Sequence, residues 1–213
     1  MSQNLSEYLH ALPLIAILRG LKPEEAIGVG EVLLETGFRV IEVPLNSPEP
    51  LRSIELLAQR FGEQALIGAG TVMSANDVDD VTRVGGRLIV MPHFDEYVVI
   101  SARLRGLLCA PGVATPSEGF AALRADVAAL KLFPAELLSP SVVKAWRAVF
   151  PKDTLMVPVG GITADNMAPY WHAGVNGFGL GSALYTPGLA LADLRQRAER
   201  FVQSIKQLLR ASV

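Results

Sequence analysis

Along the chain, short apolar runs alternate with longer stretches in which apolar residues recur every three or four positions. The short runs cover residues 14–18, 40–45, 65–69, 88–91, 107–110, 128–132, 155–159 and 177–180. These eight runs contain little polar alternation, which is the pattern of parallel strands covered on both faces.

The intervening stretches carry helix signals. Lys22-Pro23-Glu24-Glu25 puts proline and acids in a first turn, where the missing N–H costs nothing and the helix dipole favours negative charge. Ser74 stands three residues before Asp77, and Thr115 three before Glu118, so both pairs predict capping boxes. Gly37 and Gly85-Gly86 fall where helices should stop. Thr163 with Asp165 predicts a further helix start, and residues 189–209 predict an amphipathic closing helix.

Eight repeats of strand then helix argue for a parallel sheet with right-handed crossovers. Eight units in 213 residues match a small (β/α)₈ TIM barrel. An open doubly wound sheet is the alternative. With no linker, low-complexity tract or charge run, residues 1–213 are expected to form one domain.

Composition narrows the function classes. Half the residues are hydrophobic and 19% are charged, as in globular proteins. The formal net charge is −2 with acids and bases mixed throughout, so the clustered basic footprint of a nucleic-acid binder is absent. Apolar runs such as 12–18 and 155–159 are too short to span a bilayer, and the start of the chain lacks a basic, then apolar, leader; neither a membrane span nor a signal peptide is expected. A single cysteine, Cys109, excludes an internal disulfide, and a cytoplasmic location follows as the default.

In a barrel, polar side chains at the C-terminal strand ends face the active site. Lys131, inside Ala128-Ala129-Leu130-Lys131-Leu132-Phe133-Pro134, is either a buried amine held neutral for attack on a carbonyl or a lysine that snorkels to the rim. Glu42, inside Val40-Ile41-Glu42-Val43-Pro44, is either a general acid and base or half of an ion pair with Arg19 or Lys131. Arg19 can clamp a carboxylate through its planar fork or serve as an ordinary rim residue. Thr71 follows Gly68-Ala69-Gly70, where small residues let a ligand approach; its alternative role is a helix cap. Gly160-Gly161 and Gly179-Leu180-Gly181-Ser182 follow the last two runs, the two places where barrels bind phosphate on bare backbone N–H groups. His10, His93 and His172 lie far apart without partners at ligand spacing, so no metal site and no cofactor are expected. Cys109 reads as a small buried hydrophobe, and Trp146 and Trp171 as packing residues.

Together these blocks resemble the 2-keto-3-deoxy-6-phospho-sugar-acid aldolases, a family of class I aldolases. The likeness runs through Ile15-Ala16-Ile17-Leu18-Arg19-Gly20, Glu42-Val43-Pro44-Leu45-Asn46-Ser47-Pro48, Gly68-Ala69-Gly70-Thr71-Val72, Pro111-Gly112, Leu130-Lys131-Leu132-Phe133-Pro134 and Val159-Gly160-Gly161-Ile162-Thr163. The resemblance implies a (β/α)₈ barrel with an N-terminal helix, usually trimeric, that cleaves a phosphorylated sugar acid to pyruvate and D-glyceraldehyde 3-phosphate. It implies Lys131 as the Schiff-base lysine and Glu42 as the acid/base. It implies Arg19, Thr71, Pro92 and Phe133 as substrate contacts, and Gly160, Gly161, Gly181 and Ser182 as phosphate contacts.

Asn46 and Val159 stand where the gluconate-type members carry arginine and threonine, which matches the galactonate-type pattern. Ala135-Glu136 matches the gluconate type instead, and Leu137-Leu138-Ser139-Pro140 departs from it. A hydroxyl replaced by a methyl at a hydrogen-bonding position changes discrimination between substrates. The galactonate epimer is therefore the expected substrate, with the gluconate epimer, or both, as the alternative. Two further alternatives are a phosphate-binding barrel isomerase or synthase, which needs no buried lysine, and a phospho-sugar-acid sensor without turnover.

Overall fold

The computed structural model describes residues 4–211; residues 1–3 and 212–213, the outer margins of the expected domain, lie outside it. The elements follow in the order α1 (Leu5–Ala11), β1 (Leu14–Ile17), α2 (Pro23–Glu35), β2 (Val40–Pro44), α3 (Pro50–Phe61), β3 (Leu66–Gly70), α4 (Ala75–Arg83), β4 (Leu88–Val90), α5 (Glu96–Leu104), β5 (Leu108–Ala110), β6 (Gly112–Val113), α6 (Pro116–Arg124), β7 (Leu130–Leu132), α7 (Pro140–Arg147), β8 (Met156–Pro158), α8 (Met167–His172), β9 (Phe178–Leu180) and α9 (Leu191–Ala211).

All strand pairings are parallel. Six strands form one sheet in the order β5-β4-β3-β2-β1-β9, and β6-β7-β8 form a second. An isolated parallel bridge between Val159 and Gly179 links the end of β8 to β9. Each of the eight expected apolar runs contains a strand. The ninth, β6, follows Pro111, which ends the fifth run and has no N–H to give to a ladder; bonds toward β7 span the break, with Ala128 N–H donating to Cys109 O at 2.8 Å and Lys131 N–H to Pro111 O at 3.0 Å.

Alternation along the strands divides the apolar residues between two cores. Leu14, Ala16, Ile41, Val43, Ile67, Ala69, Ile89, Cys109, Leu130, Leu132 and Met156 join the helices in one cluster. Ile15, Ile17, Val40, Leu66, Leu88, Val90, Ala110, Ala129 and Val157 form the other, together with Leu5 and Leu9 of α1. Because side chains alternate strictly, Glu42 and Lys131 share the parity of the second set. Their strands therefore deliver them to the face away from the helices.

Local capping follows the sequence. Asp77 N–H donates to Ser74 Oγ at 3.2 Å while Ser74 N–H donates to Asp77 Oδ2 at 3.0 Å, which starts α4. Thr115 and Glu118 make the same reciprocal pair at the start of α6. The helix expected at Thr163 starts later: Thr163 N–H donates to Asn166 Oδ1 at 2.9 Å, and α8 begins only at Met167. The polar side chains there shape a turn before the helix instead of capping it.

Candidate active site

The C-terminal ends of β1, β2, β7, β8 and β9 open into a cavity of about 590 Å³. Ten of the residues singled out from the sequence line it: Arg19, Glu42, Asn46, Lys131, Phe133, Val159, Gly160, Gly161, Gly181 and Ser182. Thr71 and Pro92 do not contribute to the lining. Thr71 has a left-handed backbone (φ 56°) directly after β3, where the chain turns toward Ser74. His93 is also outside the lining.

At the floor, Lys131 is only 7% exposed and Glu42 only 2%. Burial disfavours charge on both, in opposite titration directions. Desolvation pushes Lys131 below its ordinary value, with the nearby Arg19 adding to the effect and Glu42 opposing it. Desolvation also raises the Glu42 carboxyl to about 7, against the favourable pull of Lys131 and Arg19. Both groups are thereby brought toward their uncharged forms. Glu42 Oε2 is buried without a hydrogen-bond partner, so the carboxyl is not consumed by a structural ion pair. The Lys131 ammonium nitrogen sits 4.7 Å from the centre of the Phe133 ring.

Two neighbours shape this floor. Gly70 pairs with Pro44 at the end of β2, and a β-carbon there would lie 1.7 Å from Glu42 Oε2. Only glycine leaves that carboxylate its place. At the rim, Arg19 Nη1 donates to Asn46 Oδ1, and Gly20 N–H donates to Ser47 Oγ at 2.9 Å, tying the β1 and β2 ends together. Arg19 is thus steered by an amide and not neutralised by Glu42.

The far wall is built from backbone. Gly160 and Gly161 both hold positive φ, 111° and 61°, a region that L side chains rarely enter. Asn166 Nδ2 donates to Gly161 O at 2.8 Å and fixes the turn. The second loop folds back through Leu184 N–H and Tyr185 N–H, which donate to Gly181 O at 2.9 and 3.0 Å. Sequence reasoning did not single out Ile17, Glu136, Tyr185, Thr186 and Pro187 as wall residues. Glu136 carried a readable signal, a charge two residues past the Phe133-Pro134 block. Tyr185 carried none, since its place depends on the return of the last loop and on its hydroxyl donating to Glu25 Oε2 at 3.3 Å.

Among the described residues, no group of three His, Cys, Asp or Glu could hold a metal ion, and no helix is long and apolar enough to cross a membrane. The site therefore defines a class: a parallel α/β protein with a desolvated amine and an unpaired carboxyl below a glycine-walled cavity. Comparison with known proteins narrows it. The family model described as "Aldolase: KDPG and KHG aldolase" matches residues 5–199. A probable 2-dehydro-3-deoxy-6-phosphogalactonate aldolase of Rhizobium meliloti (strain 1021) is 51% identical over 186 residues, covering 87% of this chain and 88% of its own. The 2-dehydro-3-deoxy-6-phosphogalactonate aldolase of Escherichia coli (strain K12) is 42% identical over 196 residues, covering 92% and 96%. A solved structure described as native KDPGal superposes with a TM-score of 0.92 at 42% identity, covering 93% of this chain and 97% of that one. The chain belongs to the KDPG and KHG aldolase family.

Proposed function

We propose that the chain is a class I aldolase that cleaves 2-dehydro-3-deoxy-6-phosphogalactonate to pyruvate and D-glyceraldehyde 3-phosphate. One observation carries this reading: a nearly dry lysine and an unpaired glutamate share the floor of one cavity. A neutral amine is the nucleophile that a 2-keto acid needs. A carboxyl poised at about 7 can both take and return a proton near neutrality.

In this reading, Lys131 attacks the C2 ketone, and loss of water from the carbinolamine gives an iminium ion. Glu42, through a water, removes the C4 hydroxyl proton. The C3–C4 electrons then flow into the iminium, and the aldehyde phosphate leaves. Glu42 helps return a proton to C3 of the enamine, and hydrolysis frees pyruvate and Lys131. The iminium serves as the electron sink, so no metal is required. Arg19, steered by Asn46, takes the substrate carboxylate; Gly160, Gly161, Gly181 and Ser182 take the phosphate. Phe133 packs beside the reacting carbon. Thr71 and Pro92, absent from the lining, have no role in this scheme. Val159 offers a methyl where a hydroxyl would bond the C4 substituent of the other epimer, and the names of the R. meliloti and E. coli relatives agree with the galactonate choice.

Borohydride trapping with pyruvate tests the mechanism. Mass spectrometry is expected to find the reduced adduct on Lys131, and an unmodified Lys131 in active enzyme refutes it. EDTA is expected to leave activity intact. Comparing kcat/KM on the two C4 epimers tests the substrate, with the galactonate compound expected to be faster.

The same reading extends to architecture. Residues 1–213 are proposed to form a single (β/α)₈ barrel, in which β5 and β6 are one strand broken at Pro111 and the bridge between Val159 and Gly179 closes the other seam. Side chains from both sheets surrounding one void of about 20 Å³ support this. A homotrimer acting in the cytoplasm completes the proposal. Exposed Tyr97, Ile100 and Leu104 on one face of α5 support association. Light scattering is expected to give three chains per particle.

A further inference from the structure

Glu136 is an unexpected side chain for the wall of an anion site. The residue before it is anchored at both of its backbone groups: Ala135 N–H donates to Val159 O at 2.9 Å, and the Tyr170 hydroxyl donates to Ala135 O at 2.9 Å. From that anchor the carboxylate leans on the glycine pair. A β-carbon on Gly160 would lie 2.3 Å from Glu136 Oε2, and one on Gly161 would lie 3.1 Å from Glu136 Oε1. Glu136 lines the same cavity as Lys131. Among the described residues its carboxylate accepts no hydrogen bond and pairs with no cation. The charge is exposed and rests over backbone, beside loops assigned above to phosphate.

Resting on that phosphate assignment, we infer that Glu136 is a specificity-determining residue, a negative gate over the glycine cradle that penalises free phosphates. A carboxylate and a phosphate dianion a few ångströms apart repel, and in a half-open cleft that repulsion is only partly screened. The repulsion is the same for a free and a carried phosphate. A phosphate carried by a substrate already held at Lys131 is an intramolecular partner at high effective concentration, so it stays seated in spite of the repulsion. Inorganic phosphate and the departing aldehyde phosphate lack that tether and are left weakly held. The gate favours product escape.

The variants Glu136→Gln and Glu136→Ala separate charge from bulk, and the exposed position leaves the fold intact. Inhibition constants are measured for inorganic phosphate, for D-glyceraldehyde 3-phosphate and for pyruvate, which has no phosphate. Both variants are expected to bind the two phosphates about tenfold more tightly, about 1.4 kcal/mol, with pyruvate unchanged and KM lowered. Tightening in Glu136→Ala alone means that bulk, not charge, closes the cradle, and overturns the gate. Unchanged or weaker phosphate inhibition in both variants also overturns it. If phosphate inhibits neither the wild type nor the variants, and the dephosphorylated sugar acid is cleaved as fast as the phosphorylated one, the phosphate assignment itself fails and the gate falls with it.

Discussion

Two buried nucleophiles occupy neighbouring stretches of this molecule and meet opposite fates. Cys109 on β5 is 2% exposed and faces the helices, where its thiol points to Met91 Sδ at 3.7 Å. Burial alone pushes that thiol up to about 12. Lys131 on β7 is about as dry, faces the other way, and has Glu42 and Arg19 nearby. In both cases desolvation favours the neutral form. For sulfur, the neutral form is the inert one, because the thiolate is the nucleophile. For nitrogen, the neutral form is the reactive one. On the mechanism proposed above, a single physical cause silences one residue and arms the other, and strand parity decides which of them meets the cavity.

The sharpest way to break this comparison is to remove the amine. Lys131→Met is expected to lower kcat/KM for cleavage by on the order of 10⁴-fold or more, as loss of a covalent nucleophile does elsewhere, and to abolish borohydride trapping. Cleavage retained within tenfold would show that the amine is not the nucleophile. A smaller effect comes from crowding the carboxyl. Gly70→Ala places a methyl against Glu42 Oε2; it is expected to cut kcat by on the order of 10²-fold, since small misplacements of a reacting group are costly. The same change is expected to lower stability by about 1–3 kcal/mol through overpacking, read by urea denaturation.

On the other side of the comparison, Cys109→Ser is expected to cost about 1–3 kcal/mol of stability, because a hydroxyl enters an apolar core. Activity per folded molecule is expected to stay within about twofold. A thiol reagent that inactivates the folded wild type but not this variant would assign Cys109 a chemical role that its environment denies it. The last expected effect is a pH slope. The unfolded Glu42 carboxyl releases its proton near 4.5 and the folded one near 7, so between those values the folded protein binds more protons than the unfolded chain. Stability therefore falls as pH rises across that window and levels off above it. In Glu42→Gln this contribution is expected to vanish, which Tm measured at intervals from pH 5 to 8 would reveal.

Much of this was legible in the sequence, and the parts that were not share a physical reason. Periodicity located a strand in every apolar run, and local chemistry fixed the caps at Ser74 and Thr115, because both depend on residues a few positions apart. The fifth run misled only in its ending, where Pro111 splits the segment into β5 and β6 without ending the strand region. At the site, Glu42 and Lys131 line the cavity because they lie within β2 and β7, whose strands aim them. Arg19 and Asn46, two residues past their strands, line it too, whereas Thr71 and Pro92, one and two residues past theirs, do not, so distance from a strand end does not decide where a loop residue points. Tyr185 was missed because its position depends on a contact 160 residues away in sequence, its hydrogen bond to Glu25; Glu136 showed its charge in the sequence, but its place against Gly160 and Gly161 exists only once the chain has folded. Side-chain type announces chemistry, whereas loop return announces nothing until the chain has folded.

The first helix has a consequence for how the amine is kept usable. Leu5 of α1 borders the small void directly beneath Glu42 and Lys131. It acts as a stopper against bulk water at the opposite end from the cavity mouth. On the proposed mechanism, a chain begun after that helix is expected to leave the underside wet, let the lysine regain its proton and blunt the proposed nucleophile, while the residues lining the cavity stay in place. Insulation from below is as much a part of this site as the groups that face it from above.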